Sequence, residues 1–174
     1  VMLVTHEQGV TVRRPFSAAA NGSLAADLKK LEKLAARGAL RHDHFRRTVE
    51  TLQAVGCDGA SQVARAYSEE VSNDAKMTLR ALETVVESLA GIEGRKVMLY
   101  VSEGVPMHSG EDMFRLVQEL CGGSSVFEAP DLASSFRRIT RLANANGVTI
   151  NSLEATGLRV FSGALAEENP LPID

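Results

Sequence analysis

The sequence predicts an α/β protein in which a sheet is covered by helices on both faces. Three observations lead there. Apolar runs with strand character recur at 1–5 ("VMLVT"), 96–102 ("KVMLYVS") and 148–155 ("VTINSLEA"). The stretches between them carry apolar residues at helical spacing, and glycine, asparagine or proline punctuates most junctions.

"VMLVT" is continuously apolar and ends on a polar residue, the pattern of an interior strand. "HEQG" supplies a turn, and "VTVRRPF" alternates before Pro15, which cannot donate to a ladder and suits an edge. Residues 1–16 therefore read as a hairpin with a central first arm and a peripheral second one.

Ser23 precedes Leu24, Leu28, Leu31 and Leu34 and is expected to cap a helix that Gly38 closes. A second helical pattern carries Phe45, Val49, Leu52 and Val55 up to Gly56. A third runs from about 60 to 90 through Val63, Tyr67, Val71, Leu79, Leu82, Val86 and Leu89, and Ser72-Asn73-Asp74, weak helix formers in succession, suggests a bend or break there. The span from about 38 to 76 is thus a helical excursion from the sheet.

After the strand at 96–102, "EDMFRLVQELC" reads as a helix capped by Ser109 with Asp112 three residues on. "CGGSS" ends it, and "VFEA" suggests a short strand. Asp131 opens a helix with Leu132, Phe136, Ile139 and Leu142 on one side, closed by Asn146-Gly147. The domain is expected to span 1–160, followed by a polar, proline-bearing tail at 161–174.

The 174 residues suffice for one core without staples. A formal net charge of -3 implies neither a nucleic-acid binder nor a polybasic membrane protein. No apolar run approaches the ~18 residues of a membrane-spanning helix. Cys57 and Cys121 belong to no paired motif and read as buried free thiols, which leaves the compartment unread. The chain begins inside an apolar run without an initiator Met, so it reads as a piece of a longer polypeptide.

The candidate ligand-binding rim is Ser102, Glu103 and Gly104, because open α/β sheets place ligands at the carboxyl ends of their strands. The plainer reading is a turn with a solvated carboxylate. His42-Asp43-His44 suggests metal, yet residues two apart on a helix diverge, so a solvated helix accounts for them better. Ser109 or Ser102 with His108 could suggest a hydrolase, but no Gly-x-Ser-x-Gly elbow or third triad member accompanies them. Lys29, Lys30, Lys33, Arg37, Arg41, Arg46 and Arg47 make 29–47 basic. That suits the wet side of amphipathic helices or the steering of an acidic partner, and too few aromatics interleave to stack bases.

"VMLVTHEQGVTVRRPFSA", "VVESLAGIEGRKVMLYVSEG" and "ANANGVTINSLEATGL" resemble, in order and spacing, successive blocks of the von Willebrand factor type A domain in its bacterial, secreted or envelope version, over about residues 1–158. The resemblance implies a doubly wound, mostly parallel, Rossmann-like sheet with one antiparallel edge strand, and a protein-binding role rather than catalysis. It also implies a Mg²⁺-dependent adhesion site built from an Asp-x-Ser-x-Ser motif after the first strand, a loop Thr, and an Asp after the strand matching 96–102. Hydroxyl, carboxylate and water oxygens suit that hard cation.

This sequence departs from the family pattern in three ways. Val1 already lies in the family's second strand, so the first strand and its motif are missing. Glu103 stands where an Asp is expected, and Thr78 and Asp58-Gly59-Ala60-Ser61 are only rough matches to the Thr loop. The expectation is a protein-interaction module without a competent metal site, Ser102 and Glu103 being weak candidates and Mg²⁺ requiring the missing motif. The missing strand would leave two unpaired edges. A strand from an upstream segment or a second chain would fill the gap, or residues 1–5 would pair directly with 96–102. The competing readings are a hydrolase-like enzyme and a purely structural segment of a larger protein.

Overall fold

The computed structural model describes residues 1–6, 9–17, 23–31, 37–122 and 130–155. Its elements run β1 (Leu3–His6), β2 (Val10–Arg14), α1 (Ser23–Leu31), α2 (Arg37–Ser88), β3 (Lys96–Ser102), α3 (Glu111–Cys121), α4 (Ala133–Ala145) and β4 (Val148–Glu154). The expected strand at "VFEA" and the tail at 161–174 lie outside the described residues.

The protein is α/β, but its described strands form two separate pairs. β1 and β2 are an antiparallel hairpin, as predicted. β3 and β4 are parallel and in register from Lys96 opposite Val148 to Ser102 opposite Glu154. Among the described residues β1 pairs with β2 and does not hydrogen-bond to β3, so the direct pairing of 1–5 with 96–102 does not form. β1 is correspondingly half-buried rather than interior.

α2 is the spine against which α3 and α4 pack. Ala60, Ala64, Tyr67, Val71, Ala75, Leu79 and Val86 are buried along it, three or four residues apart over most of the length, and Leu89 is buried just past its end. Near the middle of the chain's first half, Leu52, Ala60, Ala64, Tyr67 and Val71 meet Met113 and Val117 of α3. Further along, Ala75 and Leu79 meet Leu132 and Ile139 around α4. At the far end, Val86 and Leu89 meet Ala143 and Val148, with Met2, Met98 and Ile150 packed against them. Met2 precedes β1, whereas Met98 and Val148 lie near the starts of β3 and β4, so the three strands begin from one side of the helical layer. Each fully buried Leu, Val or Met contributes roughly 1.5–3 kcal/mol.

Three sequence expectations about the helices change. Gly56 breaks α2 as predicted, with φ 64 and ψ -170. Ser72-Asn73-Asp74 does not break it: Val71, Ser72 and Ala75 are all buried, and packing overrides weak propensity. Gly38 sits in the first turn of α2 rather than closing α1. Ser109 does not cap α3 either. Gly110 occupies that position with φ 79, and no side-chain oxygen serves as the cap.

Cys57 and Cys121 are not free thiols. They form a disulfide across a sequence separation of 64, joining the residue after the α2 break to the last residue of α3. Gly122, with φ 63, then ends α3 by donating its N–H to the Gln118 carbonyl. Arg138 clasps Glu83 through two bonds of 2.6 and 2.9 Å, fixing α4 against α2.

One face of the β3–β4 pair lies on the helices and the other does not. Val97, Leu99 and Val101 of β3 and Leu153 of β4 are 72, 63, 55 and 55% exposed. The expected covering on both faces is therefore present on one face among the described residues.

Candidate functional site

The predicted rim follows directly from β3. At its carboxyl end the Ser102 hydroxyl oxygen accepts the Gly104 N–H at 3.1 Å, and Gly104 has φ 89, so the two residues close a turn. The Gly104 carbonyl in turn lies 3.5 Å from Nη1 of Arg41. Glu103, between them, is half-buried and makes no ion pair among the described residues. The turn reading thus accounts for Ser102 and Gly104, and Glu103 is left as the group the rim presents.

The weak metal candidates do not converge with others. Among the described residues, no group of three or more His, Cys, Asp or Glu side chains is placed to hold a metal ion. Thr78 and Asp58-Gly59-Ala60-Ser61 lie within α2 rather than on a loop, and the Thr78 hydroxyl donates to the Asp74 carbonyl at 3.0 Å.

The Ser109–His108 pair is not assembled for nucleophilic attack. Ser109 is 0% exposed, and its hydroxyl has no hydrogen-bond partner among the described residues. Its carbonyl accepts the Ser68 hydroxyl at 2.7 Å, which seats the start of α3 on α2. His108 pairs through its backbone with Asp131 in an isolated antiparallel bridge. A serine nucleophile needs a base within hydrogen-bond reach and a path for substrate. Here the hydroxyl has neither.

His44, read from sequence as part of a solvated helix, has a more specific setting. Its Nε2 lies 3.3 Å from Glu70, and its ring sits 5.2 Å from that of Tyr67, which Phe45 also contacts edge-on at 5.9 Å. Burial first, and then the Asp112 carboxylate, push the Tyr67 phenol up to about 12. Because the folded chain holds this proton more tightly, Tyr67's contribution to stability is intact below pH 10 and is lost as pH rises through about 12. Absorbance titration of the wild-type and Tyr67→Phe chains should differ by a phenolate step near the upper value. A difference step near pH 10 would mean that the ring is not enclosed.

The basic stretch is partly occupied by local pairing. Lys30 and Arg14 both bond to Asp27, whose carboxyl they hold below the usual range, and Arg46 pairs with Asp43 at 3.1 Å. Two shallow depressions of ≈ 160 and ≈ 270 Å³ lie by Asp27 and by Ser72. Both are smaller than the roughly 300–1,000 Å³ of small-molecule sites. No described helix is long and apolar enough to cross a membrane.

Sequence reasoning missed the most distinctive surface, the apolar stripe of Val97, Leu99, Val101 and Leu153 beside the rim. Its signal was present as the odd-numbered positions of β3, but "KVMLYVS" does not reveal whether both faces are covered. Comparison with protein-family models, curated proteins and solved structures finds no match.

Proposed function

We propose that this chain is a protein-interaction module of the von Willebrand factor A-like kind, belonging to a secreted or cell-envelope protein, and that it binds through β3, β4 and the rim at Ser102, Glu103 and Gly104. The observation that carries the reading is the apolar stripe of Val97, Leu99, Val101 and Leu153, left uncovered among the described residues of a parallel strand pair. Parallel sheets are rarely left uncovered on either face, and exposed apolar patches mark interaction sites.

The disulfide supports the compartment, because such bonds persist chiefly in oxidising environments. The doubly wound reading draws support from the two strand pairs. They start from one side of the helical layer, and among the described residues each of β1 and β3 has a single hydrogen-bonded neighbour. A strand from an upstream segment or a second chain, set between them, would make one sheet. Adhesion-type Mg²⁺ binding would then depend on residues brought by that strand, with Glu103 as this chain's contribution.

The experiment is peptide-library selection on the wild-type chain and on a Leu99→Lys chain of matching circular dichroism. Leu99 is exposed, so the substitution should leave folding intact. Sequences retained by the wild type and released by Leu99→Lys are the expected result. Selection indifferent to Leu99, or hydrolytic turnover abolished by Ser109→Ala, would reject the reading.

A further inference from the structure

We propose that the Cys57–Cys121 disulfide is a thiol-exchange site: an attacking thiolate reaches Cys57, and reduction releases the last turn of α3 while the rest of the chain stays folded. The proposal is independent of the interaction reading above.

The two halves of the bond are unequally placed. Cys57 is exposed, whereas Cys121 is half-buried and packs against the cluster of Leu52, Ala60 and Val117. Little stands in the way of an approach to Cys57. Gly56 precedes it, and a Cβ added there would meet nothing within 4 Å among the described residues; the same holds at Gly122, beside Cys121. Val55 and Leu120, each within two residues of a cysteine, are 45 and 51% exposed, so neither side chain is folded down over the bond. Exchange needs access to a sulfur, and exposed disulfides are the labile ones, whereas enclosed structural ones resist reduction.

The chemistry is a two-electron exchange with a thiol donor. The donor's thiolate attacks Sγ of Cys57 and forms a mixed disulfide; the Sγ–Sγ bond breaks, and its electron pair leaves on Cys121, which takes a proton from water. A second donor thiolate, from another small-thiol molecule or from the same protein dithiol, then attacks the donor sulfur of the mixed disulfide. Cys57 departs as a thiolate, and the donor pair ends as its own disulfide.

What the bond holds is local. The start of α3 has other anchors: the Ser109 carbonyl accepts the Ser68 hydroxyl at 2.7 Å, Gly110 sits against Ser68, and Met113 and Val117 are buried. Past Val117 these anchors stop. Gln118, Glu119 and Leu120 are exposed, and the link from this turn to α2 among the described residues is Cys121. A helix end with few buried contacts opens locally at small cost, well before the whole chain unfolds.

The test treats the oxidised wild-type chain in native buffer with reduced glutathione and, separately, with thioredoxin as a protein dithiol, and reads acid-quenched samples by mass spectrometry. Reduction should proceed without denaturant, at a rate that changes little as urea is added below the unfolding transition, with the transient glutathione adduct on Cys57. Oxidised glutathione should modify the Cys121→Ser chain, which keeps Cys57, several-fold faster than the Cys57→Ser chain. In the reduced wild type, hydrogen exchange should show the amides of 118–122 losing protection while those of Met113 and Val117 keep it. Reaction with both donors marks a site open to any thiol, and reaction with thioredoxin alone marks a protein donor; either supports the proposal. Reduction that requires urea through the unfolding transition, an adduct that forms first on Cys121, or protection that is unchanged at 118–122 or lost along the whole of α3 would overturn it.

Discussion

Replacing Cys57 and Cys121 together by serine is expected to lower the unfolding free energy by about 4 kcal/mol, the loop-closure entropy for a sequence separation of 64. The bond ties the α2 break to the end of α3, so its loss frees an end of α3 that is held otherwise by Met113 and Val117 packing on α2. Urea unfolding of the wild-type and double-serine chains, the wild type with and without reductant, measures this. The reduced wild type and the variant should share a midpoint well below that of the oxidised chain. Coincident curves for all three would show that the crosslink contributes nothing to the fold.

Gly110→Ala should cost roughly 3 kcal/mol, from two separate causes. With φ 79, any L residue at this position carries a left-handed penalty of about 1–2 kcal/mol. In addition, an added Cβ would sit 2.7 Å from Cβ and 2.8 Å from Cα of Ser68, on the α2 backbone, and such overpacking costs about 1–3 kcal/mol. Gly104→Ala is the control. Its φ of 89 carries the conformational penalty, but nothing lies within 4 Å of the added carbon. Thermal melts should therefore rank the wild type first, Gly104→Ala next and Gly110→Ala last. Equal losses at the two glycines would mean that α3 can back away from Ser68 without penalty.

Much of the scaffold is legible in the sequence because local chemistry decides it. Bounds of 96–102 for β3 follow from an apolar run between turn glycines, and Gly94 and Gly104 both adopt positive φ there. Gly147, with φ 61, ends α4 as the Asn-Gly pair implies. The buried stripe from Tyr67 to Leu89 is visible as helical spacing, and so is the break at Gly56.

The misreadings involve partners distant in sequence. Ser109 looks like a cap until Gly110 must approach Ser68, after which the cap position passes to the glycine and the hydroxyl is buried. Ser72 looks like a breaker until Val71 and Ala75 pack on either side of it. No short-range signal joins two cysteines on different helices. β1 looks interior from its apolarity alone, but its neighbours are chosen by tertiary contacts. For the candidate site, Ser102, Glu103 and Gly104 were readable from a strand ending on polar residues. The stripe beside them was not, since an apolar strand reads alike whether one face or both are covered.

The free edge of β3 also has a consequence for the chain in concentrated solution. "VMLYVS" is six residues of high strand preference with no charge and no proline, it is paired on one flank only among the described residues, and alternate side chains stand in water. That combination marks segments able to template cross-β stacking. A ligand seated on this strand would shield that hexapeptide, so occupancy and colloidal lifetime should rise and fall together.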